Sequence, residues 1–272
     1  MTQTIKPVVT LRALRTHAEY AACVQLQRET WGQDYTDTVP ASILKVSQMV
    51  GGVSAGAFTD DDELVGFVYG LTGLRDGRIM HWSHMLAVKP EYRDHGVGRR
   101  LKEYQREVLG RMGVEMIYWT FDPLVARNAH LNLTRLGAKV DEYVADMYGD
   151  TGSDLHAFGT DRFIVSWPVS NGNVEPREVP RAWRAAPVAP KGTENGADEL
   201  LARLRGVPLV RIEIPADVES MPVGEARAWR AATRPSFVWL LARGYRVAGF
   251  MTEGRRRSYY VLARDAGAGE RP

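Results

Sequence analysis

The chain has 272 residues, enough for one large domain or two modest ones. Hydrophobic residues make up 44% and charged residues 25%, a composition that excludes a largely disordered chain. The net charge of +2 lacks the basic excess of a nucleic-acid binder, and the single cysteine excludes an internal disulfide and a cysteine-based zinc site. No apolar run reaches the roughly 18–20 residues that cross a bilayer, and the N-terminus lacks the apolar core of a signal peptide. We therefore expect a cytoplasmic protein that binds neither nucleic acid nor membrane.

Elements of alternating type fill the first part of the chain. Sequence patterns predict strands at 8–14, 52–59, 63–71, 78–88, 115–121, 140–148 and 162–167, and helices at 16–32, 40–50, 98–112 and 124–136. A capping box of Thr16 and Glu19 begins the first helix. An apolar stripe predicts the third: Leu101, Tyr104, Val108 and Met112. Meandering strands followed by strand–helix–strand crossovers predict an α/β (α+β) fold, a mixed sheet with helices on both faces.

A segment rich in proline and glycine, 170–197, separates a first domain at 1–169 from a C-terminal extension at 198–272. We interpret it as a connector whose Trp183 docks on a neighbouring surface. The extension is predicted to contain strands at 209–214, 245–252 and 258–263 and a helix at 223–243, which Pro235 should kink or split. So small a unit is expected to pack on the first domain or on a second subunit, which leaves a homodimer open.

The most informative segment lies between the strand at 78–88 and the helix at 98–112. Glycines at 96 and 98 allow a sharp turn and a close approach of the backbone to a ligand. The free amides at the start of the following helix favour an anion, and a pyrophosphate suits them. A Rossmann fingerprint would need a third glycine where Leu101 stands, and a Walker loop would need lysine where Arg99 stands. Both of these nucleotide sites are excluded.

The segment fits the Arg/Gln-x-x-Gly-x-Gly/Ala loop of the GNAT acyl-CoA-dependent N-acyltransferases. The chain resembles that family over roughly residues 8–168, in the Val-x-Pro-x-Tyr-Arg lead-in and in the order of its elements. The resemblance implies a splayed central sheet and a coenzyme A site. By resemblance, the pyrophosphate is assigned to Arg93, Asp94, His95, Gly96, Val97 and Gly98. The pantetheine arm is assigned to Leu86, Ala87 and Val88, with Asn128 or Asn132 from the later helix.

Two residues are candidates for acid–base catalysis. Some GNAT members carry a basic group on the strand before the loop, and the matching position here is His84, which could equally be a structural histidine of the sheet. Tyr118 stands where the strands are expected to part, although it could be a core residue. The tyrosine that the family uses to protonate the departing thiolate is replaced by Leu133.

Strand alternation makes a further prediction about the strand that carries His84. It places Trp82 with His84 on one face, and it places His81, Ser83 and Met85 on the other. The two histidines then face opposite ways, so we expect no shared metal site.

The resemblance implies an N-acyltransferase that moves an acyl group, acetyl by default, from acetyl-CoA or another acyl-CoA to a small-molecule amine. A free amino acid is our first choice of acceptor, and we expect direct attack and no metal. The alternatives are a non-catalytic acyl-CoA-binding module and a succinyl-CoA-dependent amino-acid N-acyltransferase. We expect the C-terminal extension to cover the acceptor side of the site.

Overall fold

The computed structural model describes residues 8–149, 151–170, 178–192, 204–254 and 257–264. Of the predicted connector, residues 171–177 and 193–197 lie outside this range. No helix within the described residues is long and apolar enough to span a membrane.

The elements follow the predicted order. The strands are β1 Thr10–Ala13, β2 Val53–Phe58, β3 Leu64–Arg75, β4 Arg78–Val88, β5 Met116–Phe121, β6 Lys139–Val144, β7 Arg162–Pro168, β8 Leu209–Pro215, β9 Tyr245–Glu253 and β10 Arg257–Arg264. The helices are α1 His17–Trp31, α2 Ala41–Met49, α3 Val97–Arg111, α4 Ala126–Ala129, α5 Arg181–Ala185 and α6 Val223–Ala242. Seven strands form a mixed sheet in the order β1-β2-β3-β4-β5-β7-β6, and three form a second sheet in the order β8-β10-β9. The predicted mixed α/β fold is confirmed.

The chain divides into two compact units. The first comprises the described residues of Met1–Trp119, Thr151–Leu155 and Ser166–Gly172. The second comprises those of Thr120–Asp150, His156–Val165 and Asn173–Pro272. The domain boundaries expected from the sequence stay a prediction.

In the first unit, helices cover both faces of the sheet. Phe67 and Tyr69 of β3 belong to a buried cluster with Tyr20 of α1 and Leu44 of α2. On the opposite face, a methyl group added at Gly66 would lie 3.3 Å from Leu101 of α3. Alternation along β3 therefore sends one set of side chains to α1 and α2 and the other to α3.

The buried face of α3 differs from the predicted stripe. Leu101 is buried as expected, but Met112 is 41% exposed. The buried residues of α3 are Val97, Leu101, Lys102, Gln105 and Leu109. The prediction was wrong because hydropathy assigns lysine and glutamine to the solvent side, whereas here both find buried polar partners.

The second unit has an aromatic core. Phe237 of α6 packs against Phe163 of β7, Tyr143 of β6 and Tyr260 of β10, with ring centroids 5.1–5.4 Å apart. Trp183 packs on the cluster of Met251, Tyr259 and Val261, which confirms its predicted docking.

Pro235 does not split the helix that contains it, since α6 continues to Ala242. The carbonyl that proline leaves without an intrahelical donor belongs to Ala231, an exposed residue.

The predicted helix at 124–136 is also different in the structure. Only Ala126–Ala129 is α-helical, and His130–Arg135 is π-helical. The amide of Leu136 donates to the carbonyl of Leu131, five residues earlier, at 2.9 Å. The predicted strand at 140–148 ends at Val144, because a turn follows in which Asp146 has a φ of +49°.

Candidate active site

The strands β4 and β5 pair over a short length and then part. Met80, His81 and Trp82 pair in parallel with Met116–Tyr118, and the register of the two strands ends there. Beyond Trp82, β4 continues to Val88 while it stays paired with β3 on its other edge. Within the described residues, its edge toward β5 has no strand partner beyond Trp82. This stretch contains Leu86, Ala87 and Val88, the residues predicted to bind pantetheine.

A short loop joins the end of β4 to α3. The Nε of Arg93 donates to the carbonyl of Val88 at 3.0 Å, which fixes the loop against the strand end. Asp94 and Gly96 adopt left-handed conformations with φ of +62° and +79°. Gly96 is the N-cap of α3 and no side chain caps this end. The amides of the first helical turn are therefore available to an anion.

The glycines of the loop leave space where the predicted pyrophosphate would lie. A methyl group at Gly96 would meet no atom within 4 Å. One at Gly98 would lie 3.8 Å from Leu86 and Val88, an ordinary van der Waals distance. Of the residues between Asp94 and Gly98, His95 is half-buried and Val97 is buried. The loop thus has the open shape and the free donors that a diphosphate requires.

His84 is the extra residue of a β-bulge. Ser83 pairs with Gly70 and Met85 pairs with Tyr69, which leaves His84 between them without a partner on β3. Its ring meets that of Tyr69 edge-on, with centroids 6.1 Å apart. Because the bulge inserts one residue, Met85 falls in the cluster beneath α1 and α2, on the opposite side of the sheet from Ser83. The predicted shared face of these two residues was wrong for this reason.

The His84 ring is suited to accepting a proton. Its side chain is exposed, yet the surrounding protein desolvates the ring. Desolvation lowers the pKa of His84 below its ordinary value, and the negative charge of Asp37, in the loop between α1 and α2, opposes that effect. The lowered pKa favours the unprotonated imidazole near neutral pH, and the side chain is exposed.

The other candidates lie further along the chain. Tyr118 of β5 pairs with Trp82 at the point where the strands part, and the guanidinium of Arg75 lies 5.5 Å from its ring centroid. Asn128 belongs to α4 in the second unit, where it is half-buried. Asn132 is buried and Leu133 half-buried in the π-helical turn.

One group of polar residues beneath β4 was not predicted. Lys102 and Gln105 of α3 face Ser83 and His81 of β4, and all four side chains are at most 4% exposed. Sequence patterns could not signal it, because partners from two distant segments make these residues polar and buried at once.

Residues 55–133 match the family model described as the acetyltransferase (GNAT) domain. A search of curated proteins finds no match. Among solved structures, the chain is similar to the ribosomal-protein-S18-alanine N-acetyltransferase of Escherichia coli, with 18% identity, 61% of this chain and 96% of that chain covered, and a TM-score of 0.46. It is also similar to a putative acetyltransferase of Salmonella typhimurium solved with its cofactor acetyl-CoA, with 16% identity, 63% and 99% coverage, and a TM-score of 0.47.

Proposed function

Because the chain carries a GNAT acetyltransferase domain, we propose that it transfers an acyl group from an acyl-CoA to the amine of a small molecule in the cytoplasm. The observation that carries the proposal is the loop at 93–98, whose uncapped helix end follows the strand that parts from β5. Acetyl is the proposed acyl group and a free amino acid the proposed acceptor. Bound acyl-CoA would supply the thioester that the amine attacks.

The loop and the strand before it provide the proposed binding surface. The backbone amides of residues 94–98 would donate to the pyrophosphate, since the first helical turn has no competing side-chain cap, whereas the amide of Arg93 already donates to the carbonyl of Pro90 at 3.2 Å. The free edge of β4 at Leu86, Ala87 and Val88 would bond the pantetheine amides in the manner of an added strand. Asn128 is the further proposed contact with the pantetheine arm.

His84 and Tyr118 carry the proposed acid–base chemistry. The imidazole of His84 would accept the proton of the attacking ammonium, because it is neutral near pH 7 and accessible. The phenol of Tyr118 would donate a proton to the departing thiolate, a role that Leu133 cannot take in this chain. Direct attack is favoured because Cys23, the one thiol of the chain, is fully buried in α1 and burial raises its pKa to about 12.

Substitution of Gly98 tests the binding site. Gly98→Glu should weaken acetyl-CoA binding at least about 10-fold, because the carboxylate would occupy and repel the pyrophosphate position. Gly98→Ala is the matched control, since its methyl group makes only ordinary contacts at 3.8 Å and should change the affinity little. Calorimetric titration with acetyl-CoA and succinyl-CoA measures both. Equal affinities in wild type and a folded Gly98→Glu variant would remove the loop from the site.

The substitution of the usual tyrosine by Leu133 favours one second candidate, a module that binds acyl-CoA without transferring the acyl group. Binding without release of free coenzyme A, on any amine of a broad panel, would support that alternative over the enzyme.

A further inference from the structure

A continuous chain of hydrogen bonds connects α3 to β4 and β3. Lys102 Nζ lies 2.7 Å from Ser83 Oγ, and Ser83 Oγ lies 2.7 Å from Gln105 Oε1. Gln105 Nε2 lies 3.0 Å from His81 Nε2, whose Nδ1 lies 2.8 Å from Thr72 Oγ1. We call these five residues the polar chain. It lies within the first unit, beneath the strand that carries the proposed base.

The donors of the polar chain all point the same way. The Thr72 hydroxyl donates to the carbonyl of Gly51 at 2.6 Å, so its oxygen accepts from Nδ1–H of His81. Nε2 of His81 then accepts from the amide group of Gln105, whose oxygen accepts from the Ser83 hydroxyl. The Ser83 oxygen in turn accepts from the amine of Lys102. Each of the four inner residues donates one hydrogen bond and accepts another in the same direction, and such a chain of bonds holds its side chains rigidly.

Lys102 is the unusual member of the polar chain. Its side chain is buried, and its amine contacts the Ser83 hydroxyl and the face of Trp119, with Nζ 3.9 Å from the ring centroid. No salt bridge to Lys102 occurs among the described residues. Desolvation holds the pKa of Lys102 well below its ordinary value. A lysine in this setting is costly to bury, and its effect in the fold is to orient Ser83.

The polar chain explains why the bulge occurs at His84. It holds Ser83 on the α3 side of the sheet, whereas Met85 is buried in the cluster beneath α1 and α2. In a regular strand, residues two apart lie on the same face. The backbone can satisfy both positions only with one extra residue between them, and that residue is His84.

The packing at Gly70 fixes the same register from β3. A methyl group there would lie 2.2 Å from Nε2 of His81 and 2.6 Å from the carbonyl of Trp82. Only glycine lets the His81 ring lie over β3 at this point, where Ser83 pairs with Gly70.

We propose that Lys102 and Ser83 are positioning residues, which hold the bulge of β4 so that His84 faces the acceptor side of the site. This inference rests on the proposed function in assigning His84 to catalysis. Two groups face the His84 ring in the first unit, Tyr69 of β3 and Asp37 of the α1–α2 loop. The ring keeps these neighbours only while the bulge keeps its register.

The experiment compares Ser83→Ala and Lys102→Met with wild type, in the full-length protein. Ser83→Ala removes the hydroxyl that connects β4 to the polar chain, and Lys102→Met keeps the length of the side chain without its amine. Ser83→Thr is the matched control, because it keeps a hydroxyl in place. The imidazole titration of His84, followed by nuclear magnetic resonance and assigned with His84→Gln, reports the position of the ring without any need for turnover. Calorimetry gives the affinity for acetyl-CoA.

In Ser83→Ala and Lys102→Met the bulge should lose its register, and the His84 ring should leave its desolvating surroundings. The titration midpoint of His84 should then rise toward the ordinary histidine value. In Ser83→Thr the midpoint should stay as in wild type. The kcat should fall on the order of 10-fold or more while acetyl-CoA affinity stays within a factor of about two, because misplacement of a catalytic group slows the reaction and leaves cofactor contacts intact. An unchanged His84 titration in both folded variants would overturn the proposal. A shifted titration in a protein that transfers no acyl group would support the positioning role and contradict the proposed function.

Discussion

At the scale of single residues, the chemistry of the proposed site depends on keeping one imidazole neutral. His84→Gln should lower kcat on the order of 10²-fold with little change in acyl-CoA affinity, since glutamine keeps polarity and size but accepts no proton at neutral pH.

The acidic limb of the wild-type pH–rate profile should lie below about pH 6.5, because desolvation lowers the pKa of His84. Asp37→Asn should move that limb to lower pH still, because the carboxylate opposes the shift. A profile that Asp37→Asn leaves in place would contradict this assignment.

A second histidine should make the protein sensitive to acid. Desolvation, with a smaller contribution from Lys102, lowers the pKa of His81 to about 3. Between about pH 6.5 and 3 the unfolded chain binds a proton at this residue and the folded chain does not. The free energy of unfolding should therefore fall with decreasing pH across that window, by up to about 1.4 kcal/mol per pH unit from this group.

His81→Gln should reduce the change of the free energy of unfolding with pH. The variant should also be less stable at neutral pH, because it loses hydrogen bonds of His81, but that loss does not affect the slope. Urea unfolding at several pH values between 7 and 4 measures the slope, with the exposed His17→Gln as the control variant. If the free energy of unfolding changed equally with pH in wild type and His81→Gln, His81 would be protonated in the folded protein across this pH range.

At the scale of elements, α6 is attached within the second unit by a buried ion pair. Arg230 of α6 donates from its two terminal nitrogens to the two oxygens of Asp122, which follows β5, at 2.9 and 2.5 Å. The side chains are 6% and 8% exposed. Removal of Arg230 would leave Asp122 with only the longer contact to the buried Arg162, at 3.5 Å, in place of its two-pronged partner.

Arg230→Met should therefore destabilise the protein by at least about 2 kcal/mol in urea unfolding, and by less than the roughly 3–5 kcal/mol of a fully unpaired buried charge, because Arg162 stays near Asp122. The matched control is Arg127→Met, because Arg127 is 50% exposed in its ion pair with Glu219 and should cost less than about 1 kcal/mol. Similar losses in the two variants would show that the buried pair does not stabilise the second unit.

Local sequence patterns predict some of the elements around the candidate site and miss others. The bounds of β4, 78–88, and the beginning of α3 after Gly96 follow from local patterns, since alternation and glycine signals act over a few residues. The bulge at His84 does not, because it results from Ser83 and Met85 being held on opposite faces by residues of α3, α1 and α2. The π-helical turn at 130–135 could not be predicted either, because the sequence there keeps ordinary helical periodicity.

At the scale of the whole molecule, the proposed acyl transfer rests on three features: the segment at 55–133 that matches the GNAT domain model, the open loop at 93–98 and the accessible His84. The C-terminal extension contributes α6 and a second sheet to the second unit, and its predicted role as a cover for the acceptor stays a prediction.

Release of free coenzyme A from acetyl-CoA, followed against a panel of amino acids, aminoglycosides, polyamines and peptides with a free N-terminus, tests the central claim most directly. We predict amine-dependent release by the wild-type protein, largest with a small amine such as a free amino acid, and loss of that release in Gly98→Glu and His84→Gln. Tight binding of acetyl-CoA with no amine-dependent release on any member of the panel would contradict it.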